Sequence, residues 1–314
     1  MSQLSTSVRP ARRRFAAAAA TAVVLGAGLA GCGSSGKDGS SMPGMHHHAM
    51  PSASASMPAD MPGMDGMAGS GDGLSDAAGG YRMTAATADV MPGMAMPYRF
   101  TITGPDGRPV TDFAVEQTKR LHFYAIRSDL TGFQHLHPTM AADGTWTAGL
   151  PVLAPGAWRL FATFTPSAGK QDLVLSRTLT VPGTVRATPL PEPAASAGVD
   201  GYTVSVRAEL TAGKAGPLTV AVARGGVPVT DLEPYLGTYA HLTAFHAGDQ
   251  ALAHLHPETA AAAEGGTGGT EGKGGGPELA FHAELPEPGD WRLFLQFRAG
   301  GTLHTAALTL RVAG

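Results

Sequence analysis

The feature that most constrains this 314-residue chain is that a stretch of it occurs twice. Thr111-Asp112-Phe113 through His135-Leu136-His137-Pro138 aligns without a gap on Thr230-Asp231-Leu232 through His254-Leu255-His256-Pro257. In that alignment His122 falls on His241, His135 on His254 and His137 on His256. Upstream, Gly80-Tyr81 matches Gly201-Tyr202. Downstream, Pro155-Gly156-Ala157-Trp158-Arg159-Leu160-Phe161 matches Pro288-Gly289-Asp290-Trp291-Arg292-Leu293-Phe294. A chain self-similar on this scale builds one folding unit twice. The repeats span residues 81–183 and 201–314, joined over 184–200 by a Pro- and Ala-rich linker. The second repeat also carries a Gly-rich insertion over 258–277, which reads as an expanded surface loop.

Gly 43 and Pro 24 together exceed a fifth of the residues, which disfavours long helices and predicts short elements separated by turns. The apolar segments alternate with a period of two. They are Tyr98–Ile102, Leu121–Ile126, Leu160–Phe164 and Leu173–Val181 in the first repeat. In the second they are Leu218–Val222, His241–Phe245, Trp291–Phe297 and Thr305–Val312. The fold class is therefore all-β: two tandem immunoglobulin-like or cupredoxin-like β-sandwich domains, with Trp158 and Trp291 as core anchors.

Ahead of the repeats the chain changes character. Arg9, Arg12, Arg13 and Arg14 precede an uncharged Ala/Val/Leu run from Phe15 to Ala30, the pattern of an export signal. The run ends in Leu29-Ala30-Gly31-Cys32, which resembles the lipobox of bacterial lipoproteins and implies a signal over residues 1–32 with lipidated Cys32. The alternative is an ordinary signal peptide with a stray cysteine. Arg12-Arg13-Arg14-Phe15 also resembles a twin-arginine motif, so the export route stays open. Two acyl chains on one residue anchor stably, which predicts the cell membrane's extracytoplasmic face. Cys32 is the only cysteine, so neither a disulfide framework nor a thiolate metal cluster is available. Loss of the four arginines shifts the formal charge from −3 to about −7, with no basic stripe to suit nucleic acid.

Residues 33–80 read as a disordered Met/His/Gly/Ser-rich tether, too poor in large apolar groups to offset ordering entropy. M-P-G-M occurs at Met42–Met45, Met61–Met64 and Met91–Met94. Pro-Gly at the centre favours a type II turn that brings two thioethers together. Thioethers suit Cu(I), and imidazoles suit copper and zinc. Met42, Met45, His46, His47, His48, Met50, Met61, Met64, Met91, Met94 and Met96 are therefore candidate Cu(I) ligands. The bland alternative is a spacer whose methionines scavenge oxidants.

Within the first repeat, the strands holding His122 and His135-Leu136-His137 flank a Ser128–Gly132 hairpin loop. Symmetric pairing sets His122 opposite His137, and His135 shares their face, with Cβ atoms roughly 5–8 Å apart. The same register in the second repeat gathers His241, His254 and His256. Three imidazoles with a vacant position suit Cu(II) or Zn(II), predicting one site per repeat. The alternative is a structural motif whose rings bond backbone carbonyls. His246 has the wrong parity; His282, His304 and the Tyr235-Leu236-Gly237 segment read as surface or structural residues.

Phe123 to Pro138, with Arg127-Ser128-Asp129-Leu130, together with Glu233-Pro234-Tyr235-Leu236-Gly237, His241 and His254-Leu255-His256-Pro257, resemble a poorly characterised group of secreted bacterial β-domain proteins carrying H-x-H-P motifs. Thr238-Tyr239-Ala240 departs from that group, where small residues and glycine are usual. The resemblance implies heavy-metal or copper handling. The sequence thus leads to a lipid-anchored copper-binding protein, not an enzyme, whose partners are the membrane and a metal transporter or other metal-handling protein. The alternative is a metal-free envelope scaffold or interaction module.

Overall fold

The computed structural model of the chain describes residues 71–86, 90–258 and 275–314. All of them belong to the unit Ala59–Gly314. Cys32 and the candidate ligands from Met42 to Met64 lie outside the described residues, as does most of the 258–277 insertion.

The first repeat carries β1 (Ala77–Ala78), β2 (Tyr81–Ala85), β3 (Met96–Thr103), β4 (His122–Arg127), β5 (Gln134–Leu136), β6 (Thr139–Met140), β7 (Thr145–Leu150), β8 (Gly156–Phe164) and β9 (Leu173–Val181). The second carries β10 (Ser196–Val199), β11 (Tyr202–Ala208), β12 (Gly216–Arg224), β13 (Val227–Pro228), β14 (Ala240–His246), β15 (Leu252–Pro257), β16 (Glu278–Ala283), β17 (Gly289–Ala299) and β18 (Thr302–Val312). Among the described residues there is no helix, and so none long and apolar enough to cross a membrane. The all-β expectation holds, and each predicted strand lies within an observed one or overlaps it by all but one residue.

In the first repeat the sheets β1-β2-β3-β7-β6 and β5-β4-β8-β9 pack face to face. Alternation on β3 explains why: Tyr98, Phe100 and Ile102 point into the core and Arg99 points out. They meet Phe123, Ala125, Trp146 and Trp158. The second repeat runs β10-β11-β12-β16-β15-β14-β17-β18, with β13 added to β12. Here β15 pairs with β14 up to Leu255 and then with β16 from His256, so one strand joins the two faces. In the first repeat the equivalent segment breaks at His137-Pro138, separating β5 from β6. Trp158 and Trp291 are buried anchors, each indole N–H donating over 2.9 Å to the carbonyl four residues earlier, Ala154 or Glu287.

Strands β4 and β14 are buried on both faces. Phe123 and Ala125 face their own sandwich, whereas Tyr124 and Ile126 face the other repeat. There they form an apolar cluster with Leu130, Phe161, Phe245, Leu252 and Phe294. The duplicated outer faces thus pack against each other along one seam. Residues assigned by sequence to the ends of the tether and linker take part in the fold. Asp72 O accepts from Leu252 N at 3.1 Å and Ser75 O from Ser176 N at 2.8 Å, so this segment touches both repeats. Ser196–Val199 forms β10, paired to β11.

Candidate metal centre

The hairpin β4–β5 pairs Tyr124 with His135 and Phe123 with Leu136, so the next step of that register sets His122 against His137. The hairpin β14–β15 pairs Thr243 with His254 and Leu242 with Leu255, and its next step sets His241 against His256. Both registers are those the sequence predicts. His254 and His256 are placed here by register alone.

The side chains of the first repeat converge as expected. One nitrogen from each of His122, His135 and His137 lies within 4.8 Å of the others. His122 Nδ1 and His135 Nε2 are 3.0 Å apart. His137 Nε2 is buried with no hydrogen-bond partner among the described residues. No carboxylate or thiolate joins this group among the described residues.

The expectation of two separate sites is altered by the seam. His241 does not stand with its own repeat away from this cluster: its ring centroid lies 6.0 Å from that of His122 and 5.7 Å from that of His135. The reason is the packing of equivalent faces. His122 and His241 sit at the same position on strands that oppose one another, so the duplication brings both to one locus.

Residues outside the sequence-derived ligand set hold the rings. His122 Nε2 donates to the Glu116 carbonyl at 3.1 Å. His135 Nδ1 donates to Gln296 Oε1 of the second repeat at 2.7 Å. Tyr124 stacks on His135 with centroids 4.6 Å apart, and its hydroxyl is held by Thr243 and Thr163. Glu116 belongs to a two-residue turn closed by Glu116 and Lys119, with Gln117 at φ 45° and Thr118 at φ 68°. Its duplicate is closed by Tyr235 and Thr238, with Leu236 at φ 55° and Gly237 at φ 76°. The carbonyls of Tyr235 and Leu236 hydrogen-bond His241, and the Tyr235 ring lies 5.3 Å from it. Tyr235-Leu236-Gly237 therefore orients a candidate ligand, in the manner of outer-shell partners at metal sites. Gapless alignment of residues 116–119 on 235–238 is the signal that could have found these turns. Gln296 left no comparable trace, because its counterpart is Thr163.

Burial sets the electrostatics. It pushes the His122 imidazole below its usual range, and pushes His135 well below, where neighbouring His122 adds to the effect. Burial followed by His122 and Lys119 lowers His137 to about 4. Burial followed by His122 and His137 lowers His241 to about 3. His137 and His241 are thus neutral at pH 7, the form that binds metal.

The remaining candidates separate cleanly. The Met91-Pro92-Gly93-Met94 turn forms as predicted, with Gly93 at φ 74°, and exposes Met91 and Met94. Met96 instead packs against the first repeat's core, because it opens β3. His246 turns away, bonded to Asp249 at 2.9 Å and set against Trp291. His282 is exposed. His304 is not a surface residue: it is buried against Tyr202 and Phe297, with Nδ1 2.8 Å from Asp200 Oδ2.

The family model described as "Domain of unknown function (DUF8832)" matches residues 76–183 and again residues 197–314. No curated protein matches the chain. Among solved structures, the structure of Yersinia pseudotuberculosis InvD aligns at 13% identity and a TM-score of 0.23, covering 74% of this chain and 57% of that one. The chain thus spans little more than half of that structure, and at this score the likeness carries no argument.

Proposed function

The chain belongs to the DUF8832 family, and we propose that it is an extracytoplasmic, membrane-anchored lipoprotein that captures, buffers or passes on copper. The observation that carries this reading is the approach of His122 Nδ1 to His135 Nε2 at 3.0 Å. A neutral imidazole has one N–H, and a carbonyl oxygen can only accept. His122 spends its proton on Glu116 O, and His135 spends its own on Gln296 Oε1. With those tautomers both facing nitrogens are acceptors, an arrangement that a cation between them satisfies. Burial disfavours an extra proton on either ring. A metal bound at about 2.0–2.1 Å holds neighbouring nitrogen ligands roughly 3 Å apart.

His137 supplies the third imidazole. The order of affinities favours Cu(II) over Zn(II) at nitrogen ligands, and the thioether-rich tract ahead of the fold suits Cu(I). The lipobox-like Leu29-Ala30-Gly31-Cys32 supports attachment to the membrane. The reading is not enzymatic, in keeping with a sequence that places no carboxylate near the histidines of both repeats as a general base. A transporter or other metal-handling protein is the receiving partner this chemistry calls for.

The test is elemental analysis of the full chain purified from its native envelope, beside a variant carrying His122→Ala, His135→Ala and His137→Ala. Copper or zinc is expected in the first and not in the fold of the second. A wild-type chain that takes up neither ion, even when incubated with both, overturns the proposal. The aromatic seam between the repeats favours the second reading, a rigid envelope scaffold, and that result would select it.

A further inference from the structure

We propose that His241 of the second repeat is the fourth ligand of the centre formed by His122, His135 and His137, so that a single cation pins the two repeats together. This inference rests on the metal reading above and adds to it a closed coordination shell and one ion per chain.

Four imidazoles around one ion place each ring centroid about 3.2 Å from the metal, given metal–nitrogen bonds of about 2.0–2.1 Å. A tetrahedral shell then sets the centroids roughly 5.2 Å apart, and flattening spreads them between roughly 4.5 Å for adjacent rings and 6.4 Å for opposite ones. The separations among the first three rings are 5.2, 5.3 and 4.7 Å, and those from His241 to His122 and His135 are 6.0 and 5.7 Å. These five separations fall within that span, while only the nitrogens of His122, His135 and His137 all lie within 4.8 Å of one another, so the His241 ring must turn inward to close the shell. His241 is also as buried as a closed centre requires, at 1% exposure, beside His122 at 2%.

The supporting groups point the same way. Each of the two duplicated rings, His122 and His241, is hydrogen-bonded by carbonyls of an equivalent left-handed turn, so the same outer-shell device orients both. The two turns approach one another, since the Cβ position of Gly237 lies 3.4 Å from Thr118 Cγ2. His135 is already anchored across the seam by Gln296. Two divalent cations held by rings this close would share one buried, poorly screened space and repel each other strongly. One ion satisfies the whole set.

A shell closed by four protein ligands resembles structural rather than catalytic metal sites. It suits cations content with tetrahedral nitrogen, Zn(II) and Cu(I), and distorts Cu(II). It also makes the seam metal-dependent, because ligands from both repeats must be in place together.

The test uses the full chain with His46, His47 and His48 replaced by alanine, which removes the competing imidazoles. Co(II) serves as the visible probe and Zn(II) as the competitor. One Co(II) per chain with the intense absorption of a four-coordinate centre is expected. His241→Ala should weaken affinity about 10–100-fold and shrink the rise in melting temperature that metal produces. Should that variant fold poorly, His241→Cys decides: a sulfur-to-Co(II) charge-transfer band is expected only if residue 241 touches the ion. Two ions per chain, or one ion with no such band from folded His241→Cys, overturns the shared centre while leaving the three-histidine reading intact. No uptake at all overturns both.

Discussion

Phe133 of the first repeat and Phe294 of the second stack across the seam with ring centroids 4.3 Å apart and planes 9° from parallel. Phe245 meets both rings edge-on, at 6.0 Å from each. The opposed faces therefore have two ends of different chemistry. Apolar rings fill one end, where Ile126 and Leu252 lie, and His122, His137 and His241 occupy the other. Hydrophobic burial aligns the repeats, and that alignment fixes the spacing of the imidazoles before any ligand arrives.

Phe294→Ala removes the largest contact of this stack from a buried position. Core truncations of this size cost roughly 3–5 kcal/mol. Because Phe294 lies two residues from Gln296 on β17, the loss should extend to the His135 anchor. Urea unfolding is expected to show the lower midpoint, and metal titration a weaker site. An unchanged midpoint would mean that the repeats do not depend on this seam.

Gln296 is expected to tune metal affinity without touching metal. Its Oε1 accepts the His135 Nδ1 proton and so presents Nε2 as the ligand atom. Removal of outer-shell partners typically costs 10–100-fold in affinity. Gln296→Ala should fall in that range by competition titration, whereas Gln296→Glu keeps an acceptor and should bind at least as tightly as wild type. Equal losses in both variants would refute the anchoring role.

The repeat, the strands and the hairpin registers were legible in the sequence because each depends on local pattern: gapless alignment, period-two alternation and symmetry about residues 127–132, which join the predicted strands 121–126 and 133–137. The meeting of His122 with His241 was not, because it depends on how two sandwiches dock. The sequence did hold a trace of that docking. Leu121–Ile126 is apolar or aromatic on both strand faces apart from His122, and a strand buried on only one face would show polar residues at Tyr124 and Ile126. Nothing local, however, says that the second face meets the other repeat. His304 was misread for a related reason: its partner Asp200 lies 104 positions away.

The metal-free protein should lose stability on mild acidification. His137, at about 4, and His241, at about 3, resist protonation in the folded state, while in the unfolded chain each takes a proton near 6.5. The unfolded state therefore binds more protons below that value, and stability falls as pH drops from about 6.5 toward 4. Lys119 beside His137 adds to the repulsion, and Tyr235, the group facing His241, stays neutral throughout. Urea midpoints measured with chelator at pH 8, 6.5 and 5 should fall slightly over the first step and much more over the last. That window lies above the carboxylate range, so Asp129 and Asp249 do not confuse it. No change between pH 6.5 and 5 would contradict the burial of the cluster.

The two ring-holding turns predict substitutions of opposite sign. Both require positive φ at their central residues, for which Asn-Gly is the favoured pair. The second repeat has Leu236-Gly237, but the first has Gln117-Thr118, and threonine at φ 68° is the most strained of the four. Strain of this kind costs about 1–3 kcal/mol and persists where surrounding contacts impose it. Thr118→Gly should relieve it, raising stability by about 1 kcal/mol after the lost contact with the Gly237 turn is set against the gain. Gly237→Ala should do the reverse, since φ 76° disfavours any side chain there. Thermal unfolding distinguishes the two, and metal affinity should be preserved in Thr118→Gly because the Glu116 carbonyl stays in place. If Thr118→Gly weakens metal binding while raising stability, the threonine is holding the turn, and through it His122, in a geometry that glycine allows to drift.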